Sequence, residues 1–192
     1  MKRFLFCSFI VISILLSACS NSLLSGPNSG LEIGDTDLTR DITPSWPVLR
    51  EDDKGSTVNT LQYLLIQAGY NIAVDGDFGP ATLNAVKNFQ RAKGLVVDGV
   101  VGKNTWLKLV PTIDTGSTAR GAVKALQYLL RYKFEYTSIT ADGVFRTNTK
   151  NAVIKFKNLR NPSGSSTVGQ TTWLYLLESP NGSGPATGKW YK

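Results

Sequence analysis

Carboxylate side chains are the groups through which this chain could carry out hydrolytic chemistry. The 192 residues contain no histidine, which excludes histidine-liganded zinc hydrolysis and Ser-His-Asp catalysis. Two carboxylates about 5–10 Å apart, one of them with a raised pKa, could cleave a glycosidic bond. Glu51, Asp52, Asp53 and Glu135 are the candidates, but none lies in an apolar run that would raise its pKa. The sequence therefore predicts no enzymatic activity.

Asp75 and Asp77 form an acidic pair that could begin a calcium-binding loop. An EF-hand loop needs further acidic residues and a distant glutamate, and residues 78–80 supply none. Asp-Gly pairs, such as those at Asp75 and Asp98, are typical of turns. We therefore predict no metal site and no cofactor, and we interpret these aspartates as turn residues rather than ligand contacts.

The elements that position these residues occur twice along the chain. The recurring pairs of segments are 58–65 with 123–130, 75–78 with 142–145, 85–89 with 152–156, and 105–107 with 172–174. The offset is 65 residues at the first pair and 67 at the others, so one small insertion separates two otherwise colinear copies. A short module repeated over most of the folded part leaves little room for a separate catalytic domain.

Each copy has the apolar periodicity of three helices. Val58, Leu61 and Leu65 share one helical face, Pro80 follows Gly79 at a favoured helix start, and a short helix is predicted over 103–110. In copy two the predicted helices are 122–132, 147–159 and 170–177. The fold prediction is all-α, with two tandem three-helix modules joined by a short linker, residues 111–115, so that the modules touch.

The N-terminal residues are typical of an exported lipoprotein. Lys2 and Arg3 precede an apolar run that ends in Leu16-Ser17-Ala18-Cys19, which resembles the bacterial lipoprotein box, in which cleavage precedes an acylated cysteine. The mature chain would then have no free thiol, which excludes Cys-His catalysis. The predicted domains are a signal peptide (1–18), the lipidated Cys19 with a flexible tether (19–45), copy one (46–110), copy two (115–178) and a loose tail (179–192).

The net charge of +7 is concentrated in copy two. Residues 115–178 hold nine basic and three acidic side chains. Such a surface suits an anionic wall polymer or is simply a solvated face, and nucleic acid is excluded by the predicted extracytoplasmic compartment. The basic residues that suggest a polymer site are Lys150, Lys155, Lys157 and Arg160.

The repeated residues resemble the three-helix peptidoglycan-binding domain found in tandem on many bacterial wall hydrolases. Copy one matches the family pattern through Leu61-Gln62, residues 75–79, Phe89-Gln90, Asp98-Gly99 and Thr105-Trp106. Copy two departs from it, with Arg146 for a glycine, Lys157 for a glutamine, and Ser165-Ser166 for Asp-Gly. The resemblance implies a compact helical module that binds the cell wall without covalent attachment.

A wall ligand offers hydroxyls, amides and carboxylates, so its site should combine polar and aromatic side chains. Tyr63 and Tyr128 lie beside the apolar face of their predicted helices. They either contact a ligand or pack one copy against the other. Trp106 and Trp173 are interpreted as core residues, with stacking on sugar rings as the alternative. The candidate ligand-binding residues are Gln62, Tyr63, Tyr70, Asp77, Gln90, Arg91, Gln127, Tyr128, Tyr132 and Lys157.

The sequence thus predicts a non-catalytic, lipid-anchored protein of the bacterial cell envelope. It would bind peptidoglycan or an associated anionic wall polymer, would be held to a membrane through Cys19, and could position a wall enzyme. The alternative is a protein–protein adaptor that kept the fold without glycan binding.

Overall fold

Six α-helices form the regular structure of residues 44–159 and 164–178, the part of the chain that this computed structural model describes. A π-helical turn, Leu129–Lys133, directly continues the fourth helix. The described residues lie in one compact unit, and none of their helices is long and apolar enough to cross a membrane. The predicted signal peptide, Cys19, most of the tether, Arg160 and the C-terminal tail lie outside the described residues. The helices are α1 Ser56–Gln67, α2 Pro80–Ala92, α3 Lys103–Leu109, α4 Arg120–Tyr128, α5 Thr147–Asn158 and α6 Gln170–Leu177.

Most helices begin with a residue in extended conformation that follows a loop. Gly79, Gly102 and Gly169 precede α2, α3 and α6, with φ between −84° and −100°. Arg146 occupies the same place before α5, with φ −103°. Because any residue can adopt an extended φ, the arginine fits where the resemblance led us to expect glycine, and the helix still forms.

Two buried tryptophans organise the cores of the two halves of the described structure. Trp106 and Trp173 are both fully buried. Trp106 donates its Nε1–H to the carbonyl of Pro47 at 2.7 Å, and Trp173 donates to the carbonyl of Pro111 at 2.8 Å. Both are therefore core residues, and the structure rules out the alternative that they stack on sugar rings.

The segment predicted as a linker, 111–115, belongs instead to the C-terminal half. Ile113 is buried and forms an isolated antiparallel bridge with Val168, as Leu49 does with Val101 in the N-terminal half. Pro111 receives the hydrogen bond from the buried tryptophan described above. The C-terminal half thus starts at Pro111, and the predicted boundary at residue 115 was wrong because an irregular buried segment has no helical period.

The small insertion within the C-terminal half, between residues 130 and 142, changes the end of the fourth helix. We predicted one helix over 122–132, but α geometry ends at Tyr128 and five residues follow in a π-helical turn. Beyond the turn, Glu135 adopts a positive φ of 58°. Because a π turn holds more residues than an α turn, the turn and the following loop accommodate the longer chain before Asp142.

Helices α1 and α4 pack against each other and join the two halves. A Cβ placed on Gly121 would lie 2.9 Å from the Tyr63 carbonyl oxygen and 2.9 Å from Gln67 Cβ. The Gly121 N–H also donates to Gln67 Oε1 at 2.9 Å. The start of α4 therefore lies against the end of α1, and only a residue without a Cβ permits this close approach.

Candidate functional site

The side chain of Gln62 connects α1 to the loop that follows it. Its Nε2 donates to Asp75 Oδ1 at 2.7 Å, to the Asp77 carbonyl at 3.0 Å and to Thr82 Oγ1 at 3.2 Å. Its Oε1 accepts the N–H groups of Asp75 and Gly76 at 3.1 and 2.9 Å. One buried amide thus joins a helix, a turn and the threonine of the next helix; we call this set of bonds a glutamine brace.

The same brace occurs at two further glutamines. Gln90 Nε2 donates to Asp98 Oδ1 at 2.8 Å and Val100 O at 3.0 Å, and Gln127 Nε2 donates to Asp142 Oδ1 and Val144 O at 3.0 Å each. Each also donates to a buried threonine, Thr105 or Thr149, and accepts the N–H of a turn glycine, Gly99 or Gly143. The bonds to an aspartate, a loop carbonyl, a threonine and a glycine N–H recur at all three places, so the sequence pattern encodes a structural connection.

A fourth brace is built from different groups. Lys157 takes the place of the glutamine, and its Nζ donates to the Thr167 carbonyl at 3.1 Å. The carboxylate comes from Asp114, which accepts the hydroxyls of Ser166 and Thr167 at 2.7 Å each. The loop that lacks Asp-Gly is therefore held by an aspartate from the start of the same half.

The loop aspartates are stabilised in their ionised form. The Asp77 N–H, followed by the Gln62 amide, lowers the pKa of Asp75 below its ordinary value of 3.8. The Val100 N–H lowers the pKa of Asp98 and the Val144 N–H lowers that of Asp142, each with help from the brace glutamine. The hydroxyls of Ser166 and Thr167 lower the pKa of Asp114. Hydrogen bonds to the charged form account for these shifts, which fits the interpretation of the loop aspartates as turn residues.

Several predicted ligand contacts are occupied by the fold itself. Gln62, Gln90 and Gln127 are each about 99% buried, with their amides engaged in the braces. Tyr70 is half-buried and meets Phe89 edge-on with ring centroids 6.4 Å apart. Lys157 belongs to the fourth brace. The expectation that the three glutamines were left over from the core is corrected, because burial and hydrogen bonding remove them from the surface a large ligand could contact. Tyr70 and Lys157 are half-buried, and their role as ligand contacts stays a prediction.

Three predicted tyrosines lie together where α1 meets α4. The Tyr63 and Tyr128 ring centroids are 5.9 Å apart, and those of Tyr128 and Tyr132 are 4.6 Å apart. Tyr128 Oη lies 3.0 Å from the Asn59 side-chain amide, and burial raises the pKa of Tyr128, with smaller contributions from the neighbouring tyrosines. Tyr63 and Tyr128 therefore pack one half against the other, while Tyr132 remains 59% exposed at the edge. We call these three residues the tyrosine row.

The two other predicted contacts have local partners. Asp77 pairs with Lys54, Nζ to Oδ2 at 2.6 Å, and this bond raises the pKa of Lys54. Arg91 is exposed and donates to Asn88 Oδ1 at 2.8 Å. Sequence reasoning missed Asn59 and Asp114: the first looks like an ordinary helix residue and the second lies outside the repeated motif.

The described residues contain no group of three or more His, Cys, Asp or Glu side chains able to hold a metal ion. Among the carboxylates considered for catalysis, Glu51, Asp52 and Glu135 are exposed. The groups that do converge are hydrogen-bonding turns and a row of aromatic rings. Together with the helices they form a small all-α structure whose surface offers ring faces and polar groups.

Comparison with known proteins gives the family. Residues 54–109 match the family model described as a putative peptidoglycan binding domain. A Kitasatospora aureofaciens protein, described as an uncharacterized protein in the bpoA1 3' region, is 37% identical over 57% of this chain and 93% of its own length. The chain therefore belongs to this family and carries a peptidoglycan-binding domain in its N-terminal half.

Other similar proteins include a D-Ala-D-Ala carboxypeptidase and a protein named for binding peptidoglycan. The zinc D-Ala-D-Ala carboxypeptidase of Streptomyces albus G is 41% identical over 36% of this chain, but the match spans only 29% of that enzyme. A crystal structure of a peptidoglycan-binding protein from Clostridioides difficile, in complex with glutamine hydroxamate, is 43% identical over 33% of this chain and 40% of that one, with a TM-score of 0.33. The chain thus spans well under half of these two relatives.

Proposed function

We propose that this protein is a non-catalytic lipoprotein that binds peptidoglycan through two tandem modules. The observation that carries the proposal is the match of residues 54–109 to a peptidoglycan-binding domain. The second module is supported by the recurrence, from Pro111 onward, of the buried tryptophan, its carbonyl partner and the glutamine brace. The absence of histidine from the chain supports a role in binding rather than hydrolysis.

The tyrosine row is the surface that we propose for the sugar part of the ligand. Tyrosine offers an apolar ring face with a polar tip, which suits a surface where one side is wet. Tyr132 is 59% exposed, and the Arg131 guanidinium carbon lies 5.5 Å from its ring centroid. A row contributed by both halves would give one continuous contact in place of two separate weak ones.

Co-sedimentation with purified, protein-free peptidoglycan tests the proposal. We expect the chain to pellet at low and at high salt, because ring stacking and neutral hydrogen bonds are little screened. Tyr132→Ala should reduce pelleting, whereas Val96→Ala, which removes a similarly exposed apolar group, should leave it unchanged. Failure of the folded wild-type chain to pellet would refute peptidoglycan binding.

The positive charge of the C-terminal half favours an anionic wall polymer as an alternative ligand. The C-terminal half carries the excess of basic residues, and Lys150 and Lys155 are exposed on α5. Binding through them would fall steeply with salt, whereas binding through the tyrosine row would not. The salt dependence of the same sedimentation assay separates the two ligands.

Lipid anchoring is a separate part of the proposal and needs its own test. The lipoprotein box at Leu16-Ser17-Ala18-Cys19 supports it. Cys19→Ser should move the protein from the membrane fraction of the producing cells to the soluble envelope fraction. Unchanged membrane association of this variant would contradict the anchor.

The second candidate function is a protein–protein adaptor. Fold does not imply function, and Val48 and Val96, which are 52% and 78% exposed, would mark a protein contact surface if they belong to one contiguous apolar patch. If the folded chain fails to pellet with peptidoglycan and instead retains a wall enzyme in a pull-down, this function replaces the first. Loss of that retention in Val96→Ala would locate the contact.

A further inference from the structure

A pocket of about 320 Å³ opens on the C-terminal half, and its lining includes no residue of the tyrosine row. Its volume lies in the range of pockets that bind small molecules. Six of its lining residues carry exposed polar side chains: Ser138, Thr140, Asp142, Arg146, Thr147 and Asn148. The lining includes no aromatic side chain.

Three departures from the N-terminal half converge on this pocket. The loop that contains Ser138 and Thr140 belongs to the longer connection after α4. Arg146 stands where the other copy has Gly79, and Asn148 stands where it has Ala81. Substitutions that look like decay of the motif when taken singly thus place several hydrogen-bonding groups around one cavity.

The lengthened loop is held firmly in place. Arg131 Nη1 donates to the carbonyls of Thr137 and Ile139 at 3.1 and 2.6 Å. The Ile139 side chain is buried, which anchors the middle of the loop in the core. A pocket wall that is already ordered binds without a further cost of ordering.

A pair of opposite charges lies at the pocket lining. Arg146 Nη1 is 2.6 Å from Asp142 Oδ2, with the two side chains 67% and 34% exposed. Asp142 is held by its bonds to the Val144 N–H and to Gln127, whereas Arg146 is the more exposed partner of the pair. Exposed pairs of this kind contribute little to stability, so the arginine is available for a ligand.

We propose that this pocket binds an α-amino acid group that carries an ammonium and a carboxylate on one carbon. The ligand carboxylate would bind the guanidinium of Arg146, which is suited to planar anions, and the ligand ammonium would bind the carboxylate of Asp142. A zwitterion replaces the existing ion pair charge for charge, whereas a simple anion would meet Asp142 unfavourably. The lack of aromatic lining argues against a sugar ring. This inference rests on the proposed function, because the peptide part of peptidoglycan would be the source of such groups.

Nuclear magnetic resonance titration of the full chain tests the site. The probes are D-alanine, L-alanine, N-acetylalanine, alaninamide and inorganic phosphate. At least one alanine enantiomer should shift the backbone amide signals of residues 138–149 saturably. N-acetylalanine and alaninamide should each bind at least about tenfold more weakly, because each loses one charged hydrogen bond. No saturable shift with either enantiomer, equal binding of the blocked forms, or equal binding of phosphate would each overturn the proposal.

Variants on the same helix provide the matched comparison. Arg146→Gly, which restores the residue of the other half, should weaken alanine binding about tenfold or more, and Asn148→Ala provides a second change in the lining. Lys150→Gln removes an exposed charge outside the lining and should leave binding unchanged. Equal weakening by Lys150→Gln would overturn the assignment of the site. If the wild-type chain pellets with peptidoglycan but does not bind alanine, only the assignment of the pocket fails. If it binds alanine but does not pellet with peptidoglycan, the pocket assignment stands and the proposed function fails.

Discussion

The glutamine brace gives the most direct test of how the sequence encodes this fold. Replacing Gln90 or Gln127 by methionine keeps the length and approximate volume of the side chain and deletes its hydrogen bonds. The perturbation is therefore confined to polar contacts in a region whose apolar packing is preserved. Each substitution removes one acceptor for a glycine N–H and one donor for a loop carbonyl, in addition to bonds to an aspartate and a threonine.

The expected cost follows from the groups that lose their partner. The N–H of Gly99 or Gly143 forms a buried hydrogen bond to the glutamine. A buried polar group left without a partner lowers the free energy of unfolding by about 1–3 kcal/mol. The loop carbonyl and the threonine hydroxyl are partly satisfied by each other, as Thr105 Oγ1 lies 3.4 Å from Val100 O. The aspartates reach solvent, where water replaces the lost donor. We therefore expect each variant to lose about 2–4 kcal/mol of unfolding free energy.

Urea unfolding followed by tryptophan fluorescence measures the effect. With a urea dependence of about 2 kcal/mol per molar, the midpoint should fall by about 1–2 M. Gln170→Met changes an exposed glutamine at the start of α6 and should stay within about 0.5 kcal/mol of the wild type. Lys157→Met removes the single bond to Thr167 and should cost about 0.5–1.5 kcal/mol.

The order of the four losses in unfolding free energy tests whether the brace stabilises the loops. Gln90→Met and Gln127→Met should be similar to each other because their bond lengths agree within about 0.2 Å, and both should exceed Lys157→Met. If the two glutamine variants were as stable as Gln170→Met, the loops would be held by apolar packing alone. The brace would then be a consequence of the fold rather than a cause.

Three further outcomes follow from the structure. Gly121→Ala should lower the free energy of unfolding, measured in urea, by about 1–3 kcal/mol, because the added Cβ overpacks against the Tyr63 carbonyl. Ser56→Ala, at the equivalent position of α1, should leave that free energy nearly unchanged. Equal losses in the two variants would show that α1 and α4 can separate freely. Hydrogen bonds lower the pKa values of the loop aspartates below 3.8, so the stability that these aspartates contribute should be fully present above about pH 5 and should be lost as the pH falls through the folded-state pKa values. Asp98→Asn should reduce this acid dependence. An unchanged pH profile in that variant would show that the Asp98 hydrogen bonds do not cause it. Tyr132→Ala should alter stability by less than about 0.5 kcal/mol, since the ring is mostly exposed, while it weakens pelleting with peptidoglycan; a large loss of stability would mark the tyrosine as structural.

Much of the helical framework could be predicted because it depends on local patterns. The apolar periodicity of Val58, Leu61 and Leu65 marks the buried face of α1, and all three residues are fully buried. Gly79-Pro80 marks the start of α2, where the glycine caps and the proline occupies the first turn. Such signals need only neighbouring residues, so one sequence suffices to interpret them.

The candidate site was less predictable because buried polar groups resemble surface groups in a sequence. Gln62, Gln90 and Gln127 are polar residues next to an apolar line, which suggested that they were free to bind. Their partners lie 8–22 residues away in loops, and only the folded chain brings an amide, a turn and a threonine together. Pro111 and Asp114 were misplaced for the same reason, since their partners are more than 50 residues away.

The fourth brace shows that a lost motif need not mean a lost connection. In the other three, the helix supplies an amide and the loop supplies the carboxylate. Here the helix supplies the ammonium of Lys157, the loop supplies the hydroxyls of Ser166 and Thr167, and the carboxylate of Asp114 comes from the start of the half. The helix, the loop and the start of the half are still joined by polar bonds, although lysine has replaced the motif's glutamine and two serines have replaced its Asp-Gly. A comparison of sequences scores this place as degenerate, whereas a comparison of hydrogen bonds finds the loop held to the same helix. The divergence of the C-terminal half is therefore compatible with an intact core, and the differences that could change its ligand are those at the surface, above all Arg146 and Asn148.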